Sequence, residues 1–218
     1  MSRYTEHNVE QGSDAWNALR AGRLTSSRAA DSQRQVPSGE SKLRRNLRVK
    51  MAVERVVGGH VDPSSWSSRA AERGHDMESV TLAAYEAITG SLVTRVGFLA
   101  MNSVLAGGSP DGFVDEGNQR GIVEAKSPLM GAHYEYLKHG IPGDHKSQCL
   151  HLLWITGLPF CDWVSHHPKF PENLRTKIVR VEYDDGVAAY GAKALEFLAE
   201  VDVEEQLVRE MDYGKVTA

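Results

Sequence analysis

The sequence predicts one domain of the α/β or α+β class, and three observations carry that prediction. Residues 14–89 repeat apolar positions at helical spacing, the stretch after Gly90 breaks into short apolar runs, and the last third alternates between the two patterns. At 218 residues the chain suits one full hydrophobic core, and no linker, low-complexity segment or internal repeat divides it.

The elements follow in order. Ser13-Asp14 opens a helix that stops at Gly22, and Thr25-Ser26-Ser27 precedes a second short helix. Residues 31–41 read as a polar loop. Residues 42–57 read as a basic amphipathic helix with Leu43, Leu47, Met51 and Val53 on its apolar side, closed by Gly58-Gly59. A connector with Pro63 covers 60–68. Arg69–Thr89 is the longest helical pattern, with Val80, Ala83, Ala84, Ala87 and Ile88 as its expected buried stripe. Strands are expected near 96–101, 104–106, 113–114 and 122–125, the last two joined by a turn over 115–121. Helices near 131–139 and 144–156, strands near 162–166 and 177–182, and a helix from 185 to 209 complete the chain.

Composition narrows the function classes. No apolar run approaches the roughly 20 residues of a membrane helix, and the polar start, Met1–Glu10, carries no secretory pattern, so a cytoplasmic protein without membrane attachment is expected. Cys149 and Cys161 form no CxxC pair and lie in apolar stretches, which excludes a cysteine-rich metal site and predicts buried free thiols. The net charge of −4 is unevenly spread: basic residues gather between Arg20 and Arg55, acidic ones between Glu182 and Glu210. A basic half and an acidic tail helix on opposite faces would be compatible with nucleic-acid binding. The stretch 42–50 could track phosphates or be merely solvated, and the pattern leaves both open. Trp16, Trp66, Trp154 and Trp163 are expected in the core, and His166-His167, adjacent on a strand, point to opposite faces and make poor joint ligands.

The chemistry concentrates in Ser109-Pro110-Asp111-Gly112, a turn, and Gly121-Ile122-Val123-Glu124-Ala125-Lys126-Ser127-Pro128. On a strand Glu124 and Lys126 share one face, with Val123 and Ala125 on the other, and Asp111 at the start of a paired strand can reach them. Two carboxylates and a lysine at one point suit phosphodiester hydrolysis. Hard oxygen ligands suit Mg²⁺, the ion activates water and phosphate, and the lysine offsets developing charge. Without an ion the carboxylates would repel and one pKa would rise. The D…ExK spacing alone is equally compatible with a turn former and a solvated strand face.

Four ordered blocks add to it. They are Arg20-Ala21-Gly22-Arg23-Leu24-Thr25-Ser26-Ser27; Gly74-His75-Asp76-Met77-Glu78 with Ala84-Tyr85-Glu86 and Thr89-Gly90; the Asp111/Glu124/Lys126 block itself; and Gln148 on the helix that follows His145. With these the sequence resembles the phage lambda exonuclease family, the alkaline exonucleases that include the YqaJ-type viral recombinases. The resemblance covers about Gln11 to Asp185. His145 stands where relatives often carry tyrosine, Leu150 where a second glutamine is common, and Ala125 is smaller than the usual apolar residue.

The resemblance implies a restriction-endonuclease-like PD-(D/E)xK core, a mixed central sheet flanked by helices, in a single nuclease domain over 1–218 with its core at about 11–185 and a C-terminal helix at about 185–211. It implies Mg²⁺ (with Mn²⁺ as substitute) on Asp111, Glu124 and the backbone carbonyl of Ala125, with Lys126 positioning the attacking water. Glu78 and Gln148 would complete the catalytic set. Arg20, Ser27 and Ser109 would hold a DNA 5′-phosphate; independently, Ser27 near a helix start offers backbone N–H groups to an anion, and Arg20 can add a charge-assisted bond. The implied activity is 5′→3′ digestion of one strand at double-stranded DNA ends, releasing 5′-mononucleotides and leaving 3′ tails for phage-type recombination. A homotrimer and a single-strand annealing partner belong to the same implication. A structure-selective endonuclease and a noncatalytic DNA-binding module are the alternatives.

Overall fold

A computed structural model describes residues 2–61 and 69–211, with side chains left out of account over 69–76. Trp66 and Pro63 of the expected connector therefore lie outside the described residues. The chain runs β1 (Tyr4–His7), α1 (Asp14–Arg20), β2 (Leu24–Thr25), a 3-10 turn (Ser26–Arg28), α2 (Ala29–Ser32), β3 (Gln35–Val36), β4 (Gly39–Glu40), α3 (Lys42–Val57) and α4 (Arg69–Thr89). It continues through β5 (Val93–Thr94), β6 (Phe98–Met101), β7 (Ala106–Gly108), β8 (Gly112–Glu116), β9 (Gln119–Lys126), α5 (Met130–His139), α6 (Gly143–Thr156), β10 (Phe160–His166), β11 (Thr176–Glu182) and α7 (Asp185–Glu210).

The strands form a five-stranded sheet of order β11-β10-β9-β8-β5, a four-stranded sheet of order β1-β6-β7-β2, and the β3–β4 pair. The larger sheet is mixed: β9 and β10 run parallel, and the other pairs are antiparallel. Parallel neighbours need a long crossover, which α5 and α6 supply. Strand β9 is central. Its Val123 and Ala125 pack with Leu82 and Tyr85 of α4 on one face, while Ile122 packs with Leu152, Leu153 and Trp163 on the other. Helix α6 touches both sheets and α7, and its Cys149 and residues 151–156 are buried on every side, as a helix apolar all round must be. Trp16, Trp154 and Trp163 are buried, and both cysteines are buried and free. No described helix is long and apolar enough to cross a membrane.

Several expectations are corrected. The segment 31–41 is not one loop: α2 runs to Ser32 and β3 pairs with β4. Both strands are exposed, so no apolar alternation marks them. The short strands β2 and β5 and the N-terminal β1, paired with β6, carry too few residues for a period to show. The turn expected over 115–121 is only Gly117-Asn118, with Gly117 at φ 60°, a conformation tight hairpins favour and glycine adopts without strain.

The buried stripe of α4 is Thr81, Leu82 and Tyr85, while Val80, Ala83, Ala87 and Ile88 are exposed and Ala84 is half-buried. Polar anchors turned the helix. Tyr85 donates to Asp162 Oδ2 (2.7 Å), Asp162 takes a bidentate bond from Arg180 (2.8 Å each), and Thr81 bonds the Ser127 hydroxyl (2.7 Å). On α3, Leu43 is exposed and Arg44 is buried in its place.

That arginine explains a larger correction. The basic and acidic segments do not occupy opposite faces; α3 packs directly on α7. Arg44 pairs with Glu40 (2.6 Å) and Glu200 (2.7 Å), Arg48 with Glu40 (3.0 Å) and with Glu204, and Arg55 with Asp202 (2.6 Å). Isolated exposed pairs contribute about 0–1 kcal/mol. This network is partly buried and joins helices distant in sequence, so its principal effect is to fix their register.

His151 gives the fold a pH dependence. It is buried between Tyr190 Oη on Nδ1 (2.8 Å) and the Gly107 carbonyl on Nε2 (3.0 Å). Burial pushes its pKa down to about 4, against the pull of its backbone bonds. Above pH 6.5 the ring is neutral in both folded and unfolded chains and costs nothing. As pH falls from there, the unfolded chain takes up a proton that the folded core refuses until about pH 4. Urea denaturation at pH 7 and pH 4.5 should show a loss of about 2 kcal/mol from this residue. His151→Gln, which can keep both hydrogen bonds, should reduce the loss; an unchanged pH slope would assign it elsewhere.

Candidate active site

The site forms where β9 ends beside the turn into β8. Gly112 pairs with Val123, which sets Asp111 opposite the last turn of the strand. There Ala125 N–H donates to Asp111 Oδ2 at 2.6 Å and fixes the carboxylate against β9. On the same edge Glu124 Oε1 accepts from Lys126 Nζ (2.5 Å) and from Gln148 Nε2 of α6 (2.6 Å). The alternation expected for β9 therefore holds: Glu124 and Lys126 face together, away from the packing of Val123 and Ala125.

These groups line a cleft of about 430 Å³. Every site residue named from the sequence borders it: Asp111, Glu124, Lys126, Glu78, Gln148, Arg20, Ser27, Ser109 and Ala125. Trp16, Tyr136 and Ser127 border it too. His145 lines it with its ring against Tyr136 and Trp163, and burial and the Lys126 charge push its pKa down to about 4. Its Nδ1 is buried with no hydrogen-bond partner among the described residues.

The electrostatics are those of two buried acids and one cation. Burial, then the charge of Glu124, pushes Asp111 well above the carboxylate range. Burial also raises Glu124, although Lys126 opposes it. Burial alone would lower Lys126, but Glu124 and Asp111 outweigh it and raise its pKa. Such a pair is relieved by a further cation. Glu124 Oε2 is buried without a partner, and together with the neighbouring Asp111 carboxylate it offers oxygen donors of the chemistry that a hard ion such as Mg²⁺ takes. No group of three His, Cys, Asp or Glu side chains converges among the described residues. Glu78 is paired instead with Arg95, whose guanidinium also reaches the Asp111 carbonyl (3.4 Å). Mg²⁺ commonly takes one or two protein carboxylates and fills its shell with water and substrate oxygen, so the set suffices.

Elsewhere in the cleft lining, Arg20 Nη2 donates to Ser27 Oγ (3.2 Å) and stacks over Trp16, and Trp16 Nε1 donates to Ser109 Oγ (2.8 Å). Burial, then neighbouring Arg28, pushes Arg20 down to about 9, so an anion placed there would be welcome to it. Glu54, itself buried, accepts from Gly22 N–H (3.0 Å) and Arg28 (3.3 Å).

Several neighbours escaped the sequence reading as site residues, Trp16 and Arg95 among them. Trp16 was assigned to the core, although its place four residues before Arg20 puts both on one helical face. Arg95, in the segment after β5, carries no spacing that would mark it. His166 and His167 take separate partners, Thr176 Oγ1 (2.9 Å) and the Lys169 N–H (3.3 Å).

The chain matches the YqaJ-like viral recombinase domain family over residues 15–159. No curated protein gives a significant match. Among solved structures, an alkaline exonuclease from Laribacter hongkongensis is 30% identical, with a TM-score of 0.78 over 90% of this chain and 96% of that one, and its complex with dAMP gives the same values. A phage-related exonuclease from Haemophilus somnus 129PT, 12% identical, shares the fold at a TM-score of 0.64 over 87% of this chain and 96% of that one. The expected restriction-endonuclease-like core is thereby borne out, with its helices on both faces of a mixed sheet.

The like-charge pair has a measurable consequence. Asp111→Asn keeps an oxygen for the Ala125 N–H and removes one buried charge. In EDTA the variant should be the more stable of the two, with a Tm higher by about a few degrees for a chain this size. It should also lose most of the stabilisation that Mg²⁺ or Mn²⁺ gives the parent. A lower Tm in EDTA would refute the repulsion.

Proposed function

Because the chain belongs to the YqaJ-like viral recombinase family, we propose that it is a Mg²⁺-dependent nuclease that digests one strand of duplex DNA in the 5′→3′ direction from a phosphorylated end. The observation that carries this reading is the composition of one cleft, which is lined both by a carboxylate–carboxylate–lysine cluster and by the Arg20–Ser27–Ser109 donors. An internal cutter has no terminal phosphate to hold. The dAMP held by the Laribacter enzyme is a nucleoside monophosphate, the product class of this reaction.

Each residue has a task that follows from its surroundings. Arg20, Ser27 and Ser109 receive the terminal phosphate with hydrogen-bond donors in a buried place where charge-assisted bonds are strong. Asp111, Glu124 and the Ala125 carbonyl would hold Mg²⁺, or Mn²⁺ in its stead. When bound, the ion supplies Lewis acidity to the phosphodiester and lowers the pKa of the attacking water. Lys126, held by Glu124, orients that water and offsets the charge that grows on the phosphate. Gln148 fixes Glu124 from α6, and Glu78 stands beside the cluster on α4. On this reading the products are 5′-mononucleotides and 3′ single-stranded tails, which a single-strand annealing protein would receive. A ring-shaped homotrimer, implied by the same resemblance, would keep the enzyme on its substrate.

Linear duplexes labelled at either end, with and without a 5′-phosphate, test the reading when incubated in Mg²⁺ or EDTA. Wild type should release nucleotides from 5′-phosphorylated ends in Mg²⁺ only, and Lys126→Ala should lower the rate by roughly 10²–10³-fold. Internal cuts would keep the nuclease and remove the end selection. DNA binding without cleavage, equal in EDTA, would replace the enzyme with a binding module.

A further inference from the structure

The three anion-binding side chains come from three separate places: Arg20 from α1, Ser27 from the turn after β2, and Ser109 from the turn between β7 and β8. Trp16 touches two of them. Its ring, 5% exposed, lies under the Arg20 guanidinium at 4.0 Å, and its indole N–H donates to Ser109 Oγ at 2.8 Å. The helix makes this possible, because residues four apart on α1 share a face.

Both contacts bear on what the cleft accepts. A guanidinium stacked on an aromatic face keeps its edge N–H groups for in-plane partners, one of which here is Ser27. A serine hydroxyl has one proton to give and two lone pairs. With one lone pair of Ser109 taken by the indole, its own O–H can be donated to an anion. Ser27 accepts from Arg20 and also lies 3.3 Å from Thr25 Oγ1; when the threonine is the donor in that contact, the Ser27 proton too can turn to the cleft. Ser109 also stands two residues before Asp111, so the indole ties the anion-binding residues to the turn that carries the Asp111 carboxylate.

We infer that Trp16 is the positioning residue that orients Arg20 and Ser109 as donors, and that it thereby sets the preference of this site for a phosphorylated over an unphosphorylated 5′ end. The inference rests on the end-binding reading given above. Trp16 acts through its two partners and takes no part in the bond-breaking step.

The test is the ratio of kcat/KM on 5′-phosphorylated and 5′-hydroxyl duplexes in Mg²⁺, for wild type, Trp16→Phe, Ser109→Ala and the double variant. Trp16→Phe keeps an aromatic face and removes the N–H. It should lower the ratio about tenfold, the range of a lost hydrogen bond to a charged group, chiefly through KM on phosphorylated ends. Ser109→Ala should do the same, and the double variant should lose no more than either, because one bond joins the pair. A general loss of stability would lower both rates together and leave the ratio where it was. An unchanged ratio in Trp16→Phe, or additive losses in the double variant, overturns the inference while wild type still prefers phosphorylated ends. A wild type without that preference overturns it together with the end-binding reading. If Trp16→Phe does not fold, Trp16→Tyr, which also keeps an aromatic face and lacks the indole N–H, takes its place and is read in the same way.

Discussion

The rest of this structure depends on holding two buried carboxylates within reach of each other at the end of one central strand. Desolvation raises the proton affinity of both Asp111 and Glu124, and the charge of Glu124 raises that of Asp111 further. The fold supplies what the pair needs from separate directions. The β8–β9 register presents the Ala125 N–H to Asp111, and α6 brings Gln148 to Glu124. Lys126 adds the cation from the same strand. One oxygen of Glu124 is left buried and unbonded, which is where the arrangement remains open to a metal ion.

The positioning of α4 serves the same end. Its ties are polar as much as apolar: Tyr85 to Asp162, Asp162 to Arg180, and Thr81 to Ser127 immediately after Lys126. A buried, satisfied network of this kind specifies one helix rotation where packing alone would accept several. It turns Glu78 to the cleft. A purely apolar stripe of Val80, Ala84 and Ile88 would have turned the helix otherwise.

Charge is divided by task. Arg44, Arg48 and Arg55 of α3 are engaged with the acids of α7, so part of the basic stretch 42–50 serves helix packing, and the net charge of −4 says little about the cleft. Lys126 and Arg20 are the cleft's cations, and each is held in place, one by a carboxylate and one by stacking on Trp16.

The sequence by itself determined what local periodicity and short spacing can carry. The helices at 14–20, 42–57, 69–89, 143–156 and 185–210 were legible because caps and the 3.6-residue period are local. The facing of Glu124 and Lys126 was legible because a strand alternates with a fixed period of two. The grouping of Arg20, Ser27 and Ser109 with the catalytic cluster was legible only through resemblance. Tertiary structure decided the rest. The partner of the basic helix, the rotation of α4, the pairing of Glu78 with Arg95 and the bond of Trp16 to Ser109 join residues from separate elements of the chain. No local pattern encodes them, because each depends on the desolvation and hydrogen-bond geometry of groups that meet only after the sheet and its helices have packed.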